Sequence, residues 1–179
     1  MKIEKIHEYD INGEIEAKIQ ELLTICFPKI YPAHRIYFKQ LPQCRFLAFN
    51  RENQLVGHVG LDYRVMNLNG EPIKILGVID LCVSPNARSE GIGSLLLSEV
   101  EKFSEGRNID FILLFADNMT LYSKNGYTSV GNKCKWLKID NESLITKGIG
   151  YELIDELMVK AVGKKKWING DLDLLGYLF

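Results

Sequence analysis

The stretch "GVIDLCVSPNARSEGIGSLLLSEV", residues 77–100, decides how this chain folds. An apolar run leads into a short polar turn, two glycines stand one residue apart at Gly91 and Gly93, and an amphipathic segment follows. Ile92, Leu95, Leu96, Val100 and Phe103 fall on one face at helical spacing, so the stretch reads as strand, turn and helix. A helix start presents N–H groups without partners and a partial positive charge, which favours an anion placed against it. Glycines at 91 and 93 remove the Cβ atoms that would hold a bulky diphosphate away. Ser89, Glu90, Gly91, Ile92, Gly93 and Ser94 then present a ring of backbone donors whose matching guest is a phosphate or pyrophosphate. The same glycines would equally serve a tight turn with close helix packing, and that reading stands beside the first. A nucleotide-binding loop fits poorly. No Gly-Lys-Ser/Thr follows, and Leu96 occupies the place where a GxGxxG fingerprint needs its third glycine.

Outward from this stretch, the preceding sequence is rich in strands. "KIEKIHEY" (2–9) reads as a first strand, and Ile15, Ile19, Leu22, Leu23 and Cys26 follow helical spacing until Pro28 and Pro32 close the helix. A second short helix is expected in "PAHRIYFKQL" (32–41), ended by Pro42. "RFLAFN" (45–50), "LVGHVGLDYRVMNL" (55–68) and "ILGVIDLCV" (75–83) give three consecutive antiparallel strands, the last two joined through Asn69-Gly70, a hairpin signal. After the helix, "FILLFA" (111–116) is a short buried strand, and strand, helix, strand in that order implies a parallel pairing by a right-handed crossover. "NMTLYSKNGY" (118–127) reads as a short helix ended by Asn125-Gly126. "KWLKI" (135–139) and "ELMVKAV" (156–162) are further strands, separated by the unpatterned "DNESLITKGIGY" (140–151), and the chain closes on the apolar "DLDLLGYLF" (171–179). The whole is a mixed sheet, antiparallel early and locally parallel at the turn, with helices on its faces.

Composition sets the outer limits. With 179 residues, 46% hydrophobic and 25% charged, the chain suits one domain, residues 1–179, with a real core. A net charge of −1 offers no global basic field for nucleic acid or an anionic membrane. The N-terminal residues lack the apolar core of a secretory signal and no run reaches the ~20 apolar residues of a membrane span, so a cytoplasmic protein is expected. Cys26, Cys44, Cys82 and Cys134 are scattered without a CxxC pair, and His7, His34 and His58 lack ligand spacing, which argues against disulfides and a metal site. The thiols are read as reduced, with Cys26 and Cys82 packed in the core.

The context of the glycines narrows the field further. "VIDLCVSPNARSEGIGSLLLSEVEKF" (78–103) resembles motif A of the GNAT superfamily of acyl-CoA-dependent N-acyltransferases, Arg/Gln-x-x-Gly-x-Gly/Ala after a strand, with Arg88, Gly91 and Gly93 in the matching places. "ADNMTLYSKNGYTSVG" (116–131) resembles the family's motif B, with Asn118 ahead of the helix and Tyr122, Gly126 and Tyr127 in its Tyr-x-x-x-Gly-aromatic pattern. Together the two cover roughly Leu76 to Gly131. The resemblance implies an α/β (α+β) GNAT-type acyl-CoA N-acyltransferase fold: a mixed, mostly antiparallel central sheet flanked by helices, with a splayed central strand pair. It implies acetyl-CoA, or another acyl-CoA, with its pyrophosphate on the amides from Ser89 to Ser94. Leu81, Cys82 and Val83 match the splayed strand whose free backbone pairs with the pantetheine amides, and Asn118 matches a position that hydrogen-bonds the same arm. Glu90 departs from the small or basic residue common in the family, and a carboxylate beside a pyrophosphate is tolerable only if it points to solvent.

Transfer to an amine needs a neutral amine, a donor polarising the thioester carbonyl, and a proton for the departing thiolate. The Val83 N–H is the candidate for the second role. Tyr122 matches the family residue for the third, its alternative being an aromatic packed under the sheet. For the base, Asp80 stands first, because an acid in an apolar strand is either functional or has a dedicated partner. Asp62 and His58 share a face of the preceding strand by the period of two and rank behind it, and a water chain remains open. Asp80 lies on the face opposite the Val83 side chain unless a bulge intervenes. Cys82 as a covalent acyl carrier is disfavoured, since nothing near it lowers its pKa, and direct transfer in a ternary complex follows.

Acceptor contacts are expected from Phe27–Tyr37, from the hairpin Met66–Ile73 and from the stretch after Trp136. Trp167 and the apolar tail are expected to dock on the domain or on a second subunit of a homodimer. A faint similarity to aminoglycoside 2'-N-acetyltransferases, in strand order and in a C-terminal tryptophan with an acidic segment, implies a small-molecule amine. A protein N-terminus or lysine follows as acceptor, and a non-catalytic acyl-CoA sensor or scaffold is the competing class.

Overall fold

The computed structural model describes residues 1–28, 31–32 and 34–179. They divide into two compact units, Met1–Asp62 with Val78–Lys102, and Tyr63–Gly77 with Phe103–Phe179.

In the first unit, β1 (Lys2–His7) lies antiparallel to β2 (Cys44–Phe49), from Lys2↔Phe49 to His7↔Cys44. In turn β2 lies antiparallel to the first half of β3 (Leu55–Leu68). Every residue of β2 is buried, including the charged Arg45. Helix α1 (Gly13–Cys26) begins where the Asn12 side chain accepts a hydrogen bond from the Ile15 amide at 3.0 Å. It buries Ile19, Leu22 and Leu23 in a cluster with Leu47, Phe49 and Cys82, each such side chain contributing roughly 1.5–3 kcal/mol of transfer free energy. Helix α2 (Ile92–Ser104) follows β4 (Glu71–Val83), and of its expected apolar face Ile92, Leu96 and Val100 are buried, whereas Leu95 is exposed and Leu97 is buried in its stead. It approaches closely because β3 carries Gly57, where a Cβ would stand 2.9 Å from Ile92 Cγ2.

The helix expected in residues 32–41 does not form among the described residues; His34–Leu41 runs in turns and bends, and Ala33 lies outside them. His34 adopts a left-handed backbone at φ 63°, which interrupts helical winding, and the carbonyl of Ile36 is taken by the Arg45 side chain. Of the expected acceptor segment Phe27–Tyr37, Lys29, Ile30 and Ala33 are outside the described residues.

In the second unit, Asn69 (φ 52°) and Gly70 (φ 91°) form the predicted tight turn between β3 and β4. Strand β5 (Phe111–Phe115) pairs in parallel with β4, in the register Ile75↔Phe111 to Gly77↔Leu113. Its other edge is antiparallel to β9 (Leu157–Ala161), which also pairs with the two-residue β6 (Thr128–Ser129). Between them in sequence lie α3 (Thr120–Lys124), β7 (Asn132–Ile139) and β8 (Thr146–Leu153), the last two antiparallel. The apolar C-terminal segment is not a loose tail. It forms β10 (Gly170–Tyr177), antiparallel to β3 and parallel to β7, with Leu172 and Leu174 fully buried. Trp167 docks within this unit, edge-on to Phe111, and its indole N–H donates to Asn132 at 2.9 Å. The mixed, mostly antiparallel sheet with few helices is thus the expected fold class, with a second parallel pairing that sequence reading did not foresee. Among the described residues no helix is long and apolar enough to cross a membrane.

Strand β8 escaped the period-two reading because glycines interrupt it. Gly150 lies against Trp136, and a Cβ there would run into the indole. Gly150→Val should therefore lower stability by about 1–3 kcal/mol through overpacking, read from urea unfolding. An unchanged midpoint would place the indole elsewhere.

Candidate active site

The loop between β4 and α2 has the backbone of an anion cradle. Ser89 and Gly91 both take left-handed conformations, φ 67° and 79°, and no atom lies within 4 Å of where a Cβ on Gly91 would stand. The first intrahelical bond runs from the Leu95 amide to the Gly91 carbonyl at 3.0 Å, so helix geometry leaves the amides of Ile92 and Gly93 without intrahelical acceptors. A cavity of about 790 Å³ opens beside the loop, lined in part by Ser84, Asn86, Ala87, Glu90 and Ile92. Ser89, Glu90 and Gly91 are exposed, and Glu90 is held by no ion pair among the described residues. Arg88 Nε donates to the Val83 carbonyl at 3.3 Å, and the Cys26 thiol approaches the same oxygen at 3.5 Å. The loop thus suits a bulky anion: open space and oriented amides where the guest belongs, with the arginine folded against the end of β4.

Within β4, Asp80 breaks the strand pattern. Its φ is +49°, a left-handed kink unusual for a non-glycine residue inside a strand, so the simple alternation of faces past it does not hold. Its Oδ2 accepts from the Tyr31 hydroxyl at 3.2 Å, while Oδ1 has no partner among the described residues. Burial raises the Asp80 carboxyl above the ordinary carboxylate range, against the opposing pull of Tyr31, Arg45 and Lys39. Burial and the same carboxylate push the Tyr31 hydroxyl upward, so it acts as a donor.

Behind Asp80 stands a chain of polar groups. His58, with no exposed surface, donates from Nδ1 to the Asp80 carbonyl at 2.9 Å. Its Nε2 lies 2.9 Å from Arg45 Nη1. A guanidinium only donates, so Nε2 is the acceptor and the proton resides on Nδ1. Burial and the Arg45 charge push His58 down to about 3, which keeps it neutral and excludes it as a base near neutral pH. Arg45 is gripped in turn by Glu8 at 2.7 and 2.8 Å and by the Ile36 carbonyl at 2.7 Å. Asp62, on the same face of β3, is also buried. Sequence reading singled out Asp80, His58 and Asp62 but missed Glu8, Tyr31 and Arg45. Arg45 carried the same signal as Asp80, a charge inside an apolar strand.

Of the expected pantetheine strand, Cys82 is buried while Leu81 and Val83 are partly exposed. The neighbouring Cys26 sulfur and burial raise the Cys82 thiol well above the ordinary value, a poor setting for a nucleophile. Cys26 is partly exposed rather than fully packed. In the second unit, Tyr122 sits half-buried on α3, T-stacked on Tyr127 at 5.9 Å. Asn118 Oδ1 accepts from the Thr120 amide at 3.0 Å and so helps to start α3; its side-chain nitrogen has no partner among the described residues.

The family model for the acetyltransferase (GNAT) domain matches residues 11–130, about two thirds of the chain. The chain belongs to the GNAT acetyltransferase family. Its fold is similar to that of YhbS, a GNAT family N-acetyltransferase from Escherichia coli in complex with CoA, at TM-score 0.65 and 17% identity over 96% of this chain and 88% of that one. A GNAT family acetyltransferase from Brucella melitensis in complex with acetyl-CoA gives TM-score 0.60 and 15% identity, over 96% of this chain and 94% of that one. A GCN5-related N-acetyltransferase from Anabaena variabilis gives 0.62 and 18% over 75% of this chain, which spans 34% of that larger protein. No curated protein matches in sequence.

The raised Asp80 carboxyl makes stability depend on pH. A carboxyl harder to ionise in the folded chain favours folding fully below its unfolded value, near 3.8, and loses that increment as pH rises through the higher folded value. Asparagine cannot ionise and tolerates the left-handed backbone. Asp80→Asn should therefore gain thermal stability relative to the parent as pH rises from acid to neutral. A difference independent of pH would contradict the raised value.

Proposed function

We propose that this chain is an N-acetyltransferase, moving an acetyl group from acetyl-CoA to a primary amine of a small molecule by direct transfer in a ternary complex. The observation that carries the reading is Asp80, a carboxyl raised by burial on a strand kink, with one oxygen left to take a proton. Acetyl-CoA, when bound, supplies the acetyl group as a thioester. The amides from Ser89 to Ser94, with Arg88 alongside, bind its pyrophosphate. The backbone of Leu81, Cys82 and Val83 lines the pantetheine arm with the free side-chain nitrogen of Asn118, and the Val83 N–H polarises the thioester carbonyl. Asp80 removes the proton that keeps the amine un-nucleophilic, and a raised proton affinity brings it nearer the working pH. Tyr122 donates a proton to the departing sulfur. The held-up thiol of Cys82 supports direct transfer over a covalent carrier. CoA and acetyl-CoA in the complexes of the Escherichia coli and Brucella melitensis proteins support the choice of donor.

Calorimetric titration with acetyl-CoA, with ATP and NAD as controls, followed by turnover with spermidine and kanamycin as probe amines, tests the reading. Binding without turnover of any amine would favour an acyl-CoA sensor. Gly91→Glu places a carboxylate on a left-handed backbone inside the cradle and should weaken acetyl-CoA binding by about 100-fold or more, roughly 3 kcal/mol. Normal affinity in that variant removes the pyrophosphate from this loop. Tyr122→Phe should lower kcat by about 100-fold or more with acetyl-CoA affinity kept, and an unchanged kcat would strip the hydroxyl of its role.

A further inference from the structure

The left-handed conformation of Asp80 needs an explanation that the loop and the thioester chemistry do not supply. A non-glycine residue at positive φ is strained and persists only where its surroundings over-determine it. Here the Asp80 carbonyl receives a hydrogen bond from His58, an imidazole with no exposed surface. That imidazole has only one available arrangement, because Arg45 donates to its other nitrogen. Arg45 is itself immobilised by two bonds to Glu8 and one to the Ile36 carbonyl. The chain of contacts runs from the turn that follows β1 through β2 and β3 to β4, and it terminates on the backbone of the residue whose carboxyl Oδ1 is left to take a proton.

We propose that Glu8, Arg45 and His58 form a positioning chain that holds the kink at residue 80, so that Arg45 and His58 serve the reaction through Asp80 without touching substrate. The inference rests on the reading of Asp80 as the base. The charged and titratable groups facing Asp80 are Tyr31 and Lys39 from the segment between α1 and β2, Arg45 from β2, His58 from β3 and its strand neighbour Cys82. Within this set the chain has a distinct function: Tyr31 binds the carboxylate itself, whereas His58 binds only the carbonyl and so fixes where the carboxylate points. Because Nδ1 carries its proton in the neutral and the protonated ring alike, the bond to the Asp80 carbonyl persists over the range in which the carboxyl titrates.

Two substitutions separate the two halves of His58. In His58→Gln the side-chain amide reaches the position of Nε2, keeps a partner for Arg45 and loses the donor to Asp80. In His58→Asn the amide reproduces Nδ1 and keeps that donor. The Asp80 carboxyl is followed by carbon NMR in aspartate-labelled protein, with Asp80→Asn for assignment, and this readout needs no acceptor amine. The Gln variant should move the Asp80 titration back toward 3.8 and lower kcat with the probe amines by about 10-fold to 100-fold, leaving acetyl-CoA affinity within about twofold. The Asn variant keeps the donor to Asp80 but gives up the acceptor for Arg45, so it should fall between the parent and the Gln variant in Asp80 titration and in kcat. Equal behaviour of the two variants, or a Gln variant with the parent's Asp80 titration, overturns the proposal. Nitrogen NMR of the unaltered protein from pH 5 to alkaline pH, well above the His58 value of about 3, gives a check free of folding effects: His58 should hold its proton on Nδ1 and remain neutral throughout. The opposite tautomer or a titrating ring also overturns it. Should Asp80→Asn keep the parent's pH–rate profile, the base assignment fails separately, and the carboxyl titration still decides whether His58 fixes the kink.

Discussion

A buried guanidinium is the constraint on which the first unit depends. Arginine cannot shed its proton to escape burial, so every donor that faces the interior must find an acceptor or the fold loses several kcal/mol. Arg45, with 1% of its surface exposed, meets this demand with a carboxylate from the turn after β1, a carbonyl from the irregular segment before β2 and an imidazole from β3. Three parts of the chain distant in sequence are thereby held to one side chain, and the imidazole hands the constraint on to β4. The irregularity of residues 34–41 belongs to the same account, since a helix there would commit the Ile36 carbonyl to its own backbone instead of Arg45.

The anion loop depends on a different economy of atoms. Gly57 lets α2 descend onto β3, which sets the height of the helix start, while Ser89 and Gly91 take left-handed conformations in the turn before it. A polar kink deep in β4 and an open, exposed turn at its end thus coexist in one strand, the first over-determined by side chains and the second left accessible.

Much of this was legible in the sequence, and what was legible was local. The period of 3.6 placed α2, the alternation and Asn69-Gly70 placed β3 and β4, and the spacing of Arg88, Gly91 and Gly93 marked the loop before any coordinate was known. Asp80 stood out because a carboxylate inside an apolar run demands a reason. Strand β10 was hidden because "DLDLLGYLF" packs alternate leucines without turn signals to frame it, and β8 because its glycines serve Trp136 and erase the alternation. His58 was singled out alone, but its connection to Glu8, Tyr31 and Arg45 could not be read: the members are far apart in sequence, and only the sheet register brings Arg45 opposite Gly60 and beside His58. Long-range polar satisfaction leaves no periodic trace.

The placement of β10 also sets the timing of assembly. Leu172 pairs with Leu68 and with Cys134, so the strand that joins β3 to β7 leaves the ribosome about 100 residues after β3. Until then β3 and β7 each present an open edge to a neighbouring nascent chain, the situation most prone to mispairing. The pairing of β1 with β2 and β3 involves only the first few dozen residues and can form early. Synthesis of this protein therefore carries its greatest hazard late, and chaperone demand should be set by the second unit and not by the strand that bears the kink.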